Sequence, residues 1–221
     1  MNKERLPRDV LAMRIAKELE DGSYVNLGIG QPTLVANYIP PEKLVIFHSE
    51  NGVIGVGPMP EPEDEDPDLC NAGGQPVTTI AGAGFVSHAD SFALVRGRHL
   101  DVAVLGGLQV SETGDLANWI RPGRGVGGIG GAADIARGAK RIYVMMEHTT
   151  KDGERKIVRR CDYPLTGQGV VHTIFTDLAV IRVTPQGLVL LEVAPGWTPE
   201  EVQALTEPHL TVSPDLREIA L

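Results

Sequence analysis

The chain is predicted to fold as an α/β domain on a mostly parallel sheet flanked by helices, with a C-terminal strand meander. Three observations carry this expectation. Through "RIYVMM" at Arg141, short apolar runs alternate with helical patterns, the rhythm of βαβ units. Two of these runs, Leu44 to Phe47 and "DVAVLGG" from Asp101, are continuous. Strands covered on both faces read this way, and half-exposed hairpins do not. Beyond them the pattern changes: "VHTIFTDLAVIRVTPQGLVLLEVAPG" holds apolar runs separated by a "TPQG" turn, as consecutive antiparallel strands would.

Pro7 to Asp21 reads as an amphipathic helix with Leu11, Ile15 and Leu19 on one face. Pro7 suits its first turn, and Gly22 stops it. Tyr24 to Ile29 is a strand, Pro32 to Ile39 a helix begun by a proline, and Leu44 to Ser49 the next strand. "EPEDEDPDL" from Glu61 is acidic and proline-rich, which makes it a solvated surface loop. Val77 to Ile80 is a strand and Ser87 to Val95 a helix. "GAADIARGAK" from Gly131 is a short helix ahead of the "RIYVMM" strand. Thr198-Pro199-Glu200-Glu201 opens the last helix as a capping box. No repeat or long linker interrupts the chain, so residues 1–221 read as one domain.

The 221 residues are 42% apolar, enough for a sizeable core. The formal net charge of −9 argues against nucleic acid or an anionic membrane as partner. No apolar stretch is long enough to span a bilayer, and the basic start "MNKERLPRDV" has no apolar core behind it. A cytoplasmic protein is expected. Cys70 and Cys161 are too far apart in sequence to be a metal-ligand pair, and each reads as a small buried hydrophobe. Aromatic residues are only 5%, too few for a base-stacking platform.

"FHSENGVIGVGPMP", from Phe47 to Pro60, places Glu50 at the end of a buried run. Asn51-Gly52 is a strong two-residue hairpin signal, so Glu50 could be a solvated charge beside a turn. Alternatively the turn lifts Glu50 from a strand's carboxyl end into a crevice, where open α/β sheets keep their reactive groups. Gly28-Ile29-Gly30 lacks the third glycine of a dinucleotide fingerprint, since Thr33 stands in its place. "RPGRGVGGIGGAAD", from Arg121 to Asp134, crowds glycines at a helix entry, where backbone N–H groups can face an anion. It lacks the Lys-Ser/Thr ending of a P-loop, which leaves an oxyanion hole, a phosphate-bearing ligand or a surface loop. His48 shares a strand face with Glu50 and could pair with it for proton transfer or metal binding, but no third ligand is near in sequence, so no metal is expected. Glu147-His148 raises the same question. There is no Gly-x-Ser-x-Gly elbow and no His-Glu-x-x-His helix. A carboxylate without an obvious base points to chemistry in which the carboxylate itself attacks, because glutamate is ionised at neutral pH without an activating partner.

"NLGIGQPTLVANYIP", "SENGVIGVGP", "LGGLQVSETGDLANW", "GGIGGAADI", "MEHTTK" and "PLTG" resemble, in order, the B subunit of bacterial two-subunit 3-oxoacid CoA-transferases. They are also similar to the C-terminal half of single-chain succinyl-CoA:3-ketoacid CoA-transferases. The resemblance spans nearly the whole chain, and Ser-Glu-Asn-Gly is its specific signature. It implies the α/β CoA-transferase fold (NagB/RpiA/CoA-transferase type) and Glu50 as the catalytic nucleophile. Gly130 and Gly131 would offer backbone N–H groups to the thioester, and Asn26, Asn51, Gly28, Gly30 and Arg124 would line the substrate site. It further implies no permanently bound cofactor, with a CoA thioester as substrate, and an A-subunit partner in an A2B2 assembly. Succinyl-CoA and acetoacetate are the expected pair; 3-oxoadipate, acetate or butyrate are alternatives, and a non-catalytic ligand-binding module on a similar fold is a rival. The family commonly has lysines where Gly74 and Gly127 stand. Arg124 keeps one basic position, and Arg121 or a residue of the partner subunit is expected to compensate for CoA's phosphates.

Overall fold

The structure, a computed structural model, describes residues 3–123 and 127–220. Helix α1 (Arg8–Glu18) leads into β1 (Tyr24–Leu27), and β2 (Ile46–Ser49) turns back as β3 (Val53–Val56) and then β4 (Thr79–Phe85). Next come α2 (His88–Arg96), β5 (Val102–Gly106), β6 (Gln109–Ser111) and β7 (Leu116–Ala117), then α3 (Ala132–Gly138), β8 (Arg141–Met146) and β9 (Ile157–Val158). The chain ends through β10 (Thr173–Thr176), β11 (Ala179–Thr184), β12 (Gly187–Val193), α4 (Pro199–Ala204) and β13 (Leu210–Glu218).

The main sheet has ten strands in the order β13-β12-β11-β10-β8-β5-β1-β2-β3-β4. Its centre, β10-β8-β5-β1-β2, is parallel. The β2-β3-β4 meander on one side and β10-β11-β12 on the other are antiparallel, and the edge strand β13 pairs parallel with β12. The central strands are buried on both faces, which explains their continuous apolar runs. Val102 and Val104 of β5 pack with α1 residues Leu11 and Ile15 on one side, while Ala103 and Leu105 pack with Val95 of α2 and Ile135 of α3 on the other. Strand order reverses between β1 and β5, with β2 on one side of β1 and β5, β8 and β10 on the other. In an open α/β sheet this is the point at which a ligand crevice opens.

A buried ion pair ties the two ends of the chain together. Arg14 of α1 donates to both carboxylate oxygens of Glu192 in β12, at 2.7 and 2.8 Å, and Arg217 of β13 adds to the same carboxylate. Burial pushes the Glu192 pKa up, but the hydrogen bonds from the two arginines outweigh it and hold the carboxyl below its usual range. Removing one partner would strand a buried charge, at about 3–5 kcal/mol.

The structure departs from the sequence reading in several places. The helix expected from Pro32 to Ile39 is a run of 3-10 turns at Gln31–Tyr38. Gly30 precedes it at φ +96°, and only Pro32 and Val35 are buried, so no apolar stripe draws it into an α-helix. The strand read at Val77 to Ile80 runs instead from Thr79 to Phe85, paired with β3. Cys70 is exposed, not buried. A small sheet, β7-β6-β9, and the edge strand β13 were not foreseen. The capping box is present as read, with Thr198 and Glu201 each accepting from the other's backbone N–H. No helix among the described residues is long and apolar enough to cross a membrane.

Candidate active site

Glu50 follows β2 at its carboxyl end. The Gly52 N–H closes a tight turn onto the Ser49 carbonyl at 2.9 Å, and Ser49 pairs with Val53 across the β2–β3 hairpin. Both readings of Asn51-Gly52 are therefore realised: the chain reverses as a hairpin, and the reversal sits at a sheet crevice. Gly52 has φ +119°, and a Cβ there would collide with the Val86 carbonyl oxygen. Glycine is thus required twice, by the backbone angle and by the close approach.

Below the turn is a buried polar chain. Asn26 on the neighbouring β1 is fully buried, and its Nδ2 lies 3.3 Å from Oε2 of Glu50. The same Nδ2 reaches the His48 carbonyl at 3.1 Å and the His48 ring Nδ1 at 3.2 Å. His48 Nε2 lies 2.8 Å from Oγ of Ser91 on α2. Because Nδ1 faces an amide NH2, the ring fits its contacts as the tautomer protonated at Nε2. Burial lowers the His48 pKa, and the nearby Glu50 charge only partly offsets this. His48 is neutral here and meets Glu50 through Asn26 rather than directly.

Glu50 borders two clefts. One, of about 190 Å³, is closed by Gly28 and Gly106 at the ends of β1 and β5, by Trp119, and by the Gly128–Gly131 backbone. The carboxyl ends of β1, β2 and β5 thus meet this cleft at the reversal of strand order. The other, of about 520 Å³, is lined by Asn51, Ala72, Phe92, Arg96 and Asp134. Gly131 is the N-cap of α3, where the first N–H groups have no partner within the helix. A Cβ on Gly131 would come within 2.7 Å of the Phe92 ring. A third cavity, of about 90 Å³, lies beside β2 between Leu34, Phe47 and Val77, but it lacks Glu50 and has no carboxylate of its own.

The structure thus gathers Glu50, Gly28, Gly130 and Gly131 around one cleft and places Asn51 on the adjoining one. Asn26 lines neither: it is fully buried and reaches the site only through its contact with Glu50. Asn51 also donates to the Cys70 carbonyl at 2.7 Å. Gly30 serves the turn into Gln31–Tyr38 and is not among the residues that line the cleft. Arg124 lies outside the described residues. Arg121 faces Glu154 at 3.4 Å instead of the cleft. At Gly127 a side chain would strike the Trp119 carbonyl, so this backbone has no room for a lysine there; at Gly74 the space is open, but φ +75° disfavours any side chain. Phe92, Arg96 and Trp119 were not singled out from sequence. Arg96 borders the second cleft while paired to Asp134 at 2.9 and 3.0 Å. Among the described residues, no cluster of His, Cys, Asp or Glu could hold a metal ion.

The family model described as coenzyme A transferase matches residues 8–205. The chain belongs to the coenzyme A transferase family. It is 52% identical over 204 residues to the B subunit of the 3-oxoadipate CoA-transferase of Pseudomonas putida, covering 92% of this chain and 95% of that one. It is 51% identical to the B subunit of a probable succinyl-CoA:3-ketoacid coenzyme A transferase of Bacillus subtilis (93% and 95% covered). With the beta chain of the acetate CoA-transferase of Escherichia coli the identity is 49% (93% and 94% covered). Among solved structures, an E. coli O157:H7 acyl-CoA transferase superposes with TM-score 0.75 at 22% identity, over 99% of this chain and 44% of that one. This CoA-transferase chain thus spans less than half of that longer chain. The decarboxylase AibA/AibB shares the fold at TM-score 0.67 and 15% identity, over 99% of this chain and 90% of that one. The fold alone therefore does not fix the chemistry.

Proposed function

We propose that this chain is the catalytic half of a two-subunit CoA-transferase, with Glu50 as nucleophile, working with an A subunit in an A2B2 assembly. The observation that carries the reading is Glu50 itself. It is a carboxylate at the end of a buried parallel strand, at the reversal of strand order, facing a glycine-rich helix entry across a cleft.

The chemistry follows from those groups. The Glu50 carboxylate attacks the thioester carbonyl of an acyl-CoA. Its C–S bond breaks, giving an acyl-glutamyl anhydride and CoA thiolate. The thiolate attacks the glutamyl carbonyl, which forms a glutamyl-CoA thioester and releases the first acid as its carboxylate. An acceptor carboxylate then reverses both steps and leaves with CoA. No proton changes hands, which suits a site whose neighbouring histidine is neutral. The N–H groups of Gly130 and Gly131 would meet the oxyanion that develops on the attacked carbonyl.

Succinyl-CoA as donor and acetoacetate as acceptor are the proposed pair, in line with the Bacillus relative. 3-Oxoadipate is the second reading, favoured by the Pseudomonas relative. The clefts beside Glu50 are open, and an A subunit docked over them would complete the acid pocket. Co-expression with an A subunit and exchange assays over these acids decide between them.

The nucleophile is tested with acyl-CoA and no acceptor. CoA should accumulate on Glu50, and hydride reduction should convert that one side chain to an alcohol, found by mass mapping between Phe47 and Pro60. Glu50→Gln should abolish trapping and lower exchange about 10⁴-fold or more. Glu50→Asp should lose about 100-fold by misplacement. A label on another residue, or normal exchange by Glu50→Gln, would sink the mechanism.

A further inference from the structure

The Asn26 amide sits in an orientation that needs support. Its NH2 carries two hydrogens and faces three acceptors: the His48 carbonyl, the His48 ring Nδ1 and Glu50 Oε2. Its other end, Oδ1, is buried and has no hydrogen-bond partner among the described residues. A buried acceptor without a partner is costly. Flipping the amide would not relieve it, because Oδ1 would then face the same acceptors and the carboxylate would lose its donor. The amide is therefore held by His48, whose carbonyl and Nδ1 both demand the NH2. Nδ1 remains an acceptor only while the ring proton is on Nε2, and Ser91 Oγ, fully buried at 2.8 Å, takes that side of the ring. Ser91 sits on α2 next to Phe92, whose ring closes against Gly131 on the far wall of the cleft.

We propose that His48 and Ser91 are positioning residues for the transfer reaction: the chain Ser91–His48–Asn26 fixes the amide that orients the Glu50 carboxylate toward the cleft. The proposal rests on Glu50 as the nucleophile. The two histidine edges have separate tasks. One holds the amide, and the other is held by a helix that also shapes the opposite wall. The carboxylate and the glycine entry are thereby kept in register from a single element.

The experiment uses the assembled enzyme with its A subunit. His48→Leu keeps a buried side chain of similar bulk but removes the ring acceptor, leaving Asn26 only the backbone carbonyl at this position. It should lower kcat about 100-fold, as for a misplaced reacting group, with little change in the KM for acyl-CoA. His48→Gln supplies an acceptor and a donor on one planar group, and should restore most of the loss. Ser91→Ala removes one hydroxyl and should lower kcat about tenfold. In the double variant His48→Leu/Ser91→Ala both polar partners are gone, which should bring stability back towards wild type while kcat stays low.

A purely structural role predicts the opposite: activity would return together with stability in the double variant. That result, or an undiminished kcat in His48→Leu, overturns the proposal. Should His48→Leu not fold, Ser91→Ala decides, and wild-type kcat there overturns it. Hydride trapping is run on each variant. A label on Glu50 keeps the nucleophile reading separate from these outcomes, and a label elsewhere overturns both.

Discussion

His48 and His148 occupy similar surroundings at the carboxyl ends of two parallel strands. His48 is 4% exposed and His148 0%, and both have lowered pKa values because burial disfavours the imidazolium. Both rings lean on hydroxyls: His48 on Ser91 at 2.8 Å, His148 on Thr176 and Thr206, each at 2.9 Å. They differ one contact further out. Beyond His48 lies an amide and then a carboxylate at a cleft. Beyond Thr206 lies the Val202 carbonyl of α4, reached at 2.9 Å, so this ring ties the C-terminal helix to the sheet. A buried histidine thus says little by itself about function; the destination of its hydrogen bonds says more.

Severing each chain in turn tests the distinction most strongly. Asn26→Leu cuts His48 from Glu50 and should lower kcat about 100-fold, by the same misplacement argument. Thr206→Val cuts His148 from α4 and should leave kcat per folded molecule unchanged while costing about 1 kcal/mol of stability. Steady-state kinetics beside denaturant titrations would show both. A kinetic defect in Thr206→Val would erase the distinction.

Acid comes next. Burial drives the His148 pKa down to about 3, helped by the nearby charges of Arg5 and Lys156. An unfolded histidine titrates near about 6.5, so between these values the unfolded chain binds a proton that the native chain refuses. The contribution of His148 is complete above about pH 6.5 and declines as pH falls toward 3, by up to about 1.4 kcal/mol per pH unit. His48 and His172 shift in the same direction. His148→Gln should flatten the profile, and an equally steep one would remove His148 as its source.

The smallest effect is expected at the cysteines. Cys161 is half-buried, and burial raises its thiol pKa to about 12, so it is not a thiolate at neutral pH. Cys70 is exposed on the acidic loop's border, and its backbone carbonyl accepts from Asn51. Replacing both with Ala should leave exchange near wild type. Lost activity in a well-folded double variant would make a thiol the rival of Glu50.

Much of this was legible in the sequence where the physics is local. The continuous runs gave away the buried parallel strands β2 and β5, and Thr198-Pro-Glu-Glu announced α4 through its cap. The neighbourhood of Glu50, Gly131 and Asn26 came from motifs in order along the chain. Strand β13, "LTVSPDLRE", was not legible: it is an exposed edge with a proline and charges, and without an alternating buried face it carries no period to read. Phe92, Arg96 and Trp119 were missed for another reason. Each sits in an ordinary helix or loop pattern, and only the tertiary fold brings it to the carboxyl ends of β1 and β2. The packing of Gly131 was equally hidden: a side chain there would meet the Phe92 ring, a contact that no local pattern announces.

The contact between Gly52 and Val86 makes the nucleophile's turn and the start of α2 a single joint. The Val86 N–H also donates to the Gly52 carbonyl at 2.9 Å, and the next residue, Ser87, caps α2. The loop that bears Glu50 is therefore not a portable cassette. An engineer who transplanted Ser-Glu-Asn-Gly to another sheet would bring the carboxylate but leave behind the helix that it is riveted to, with Ser91 and Phe92 on it. The smallest unit that could be moved intact runs from β1, which carries Asn26, through α2, nested hairpin included.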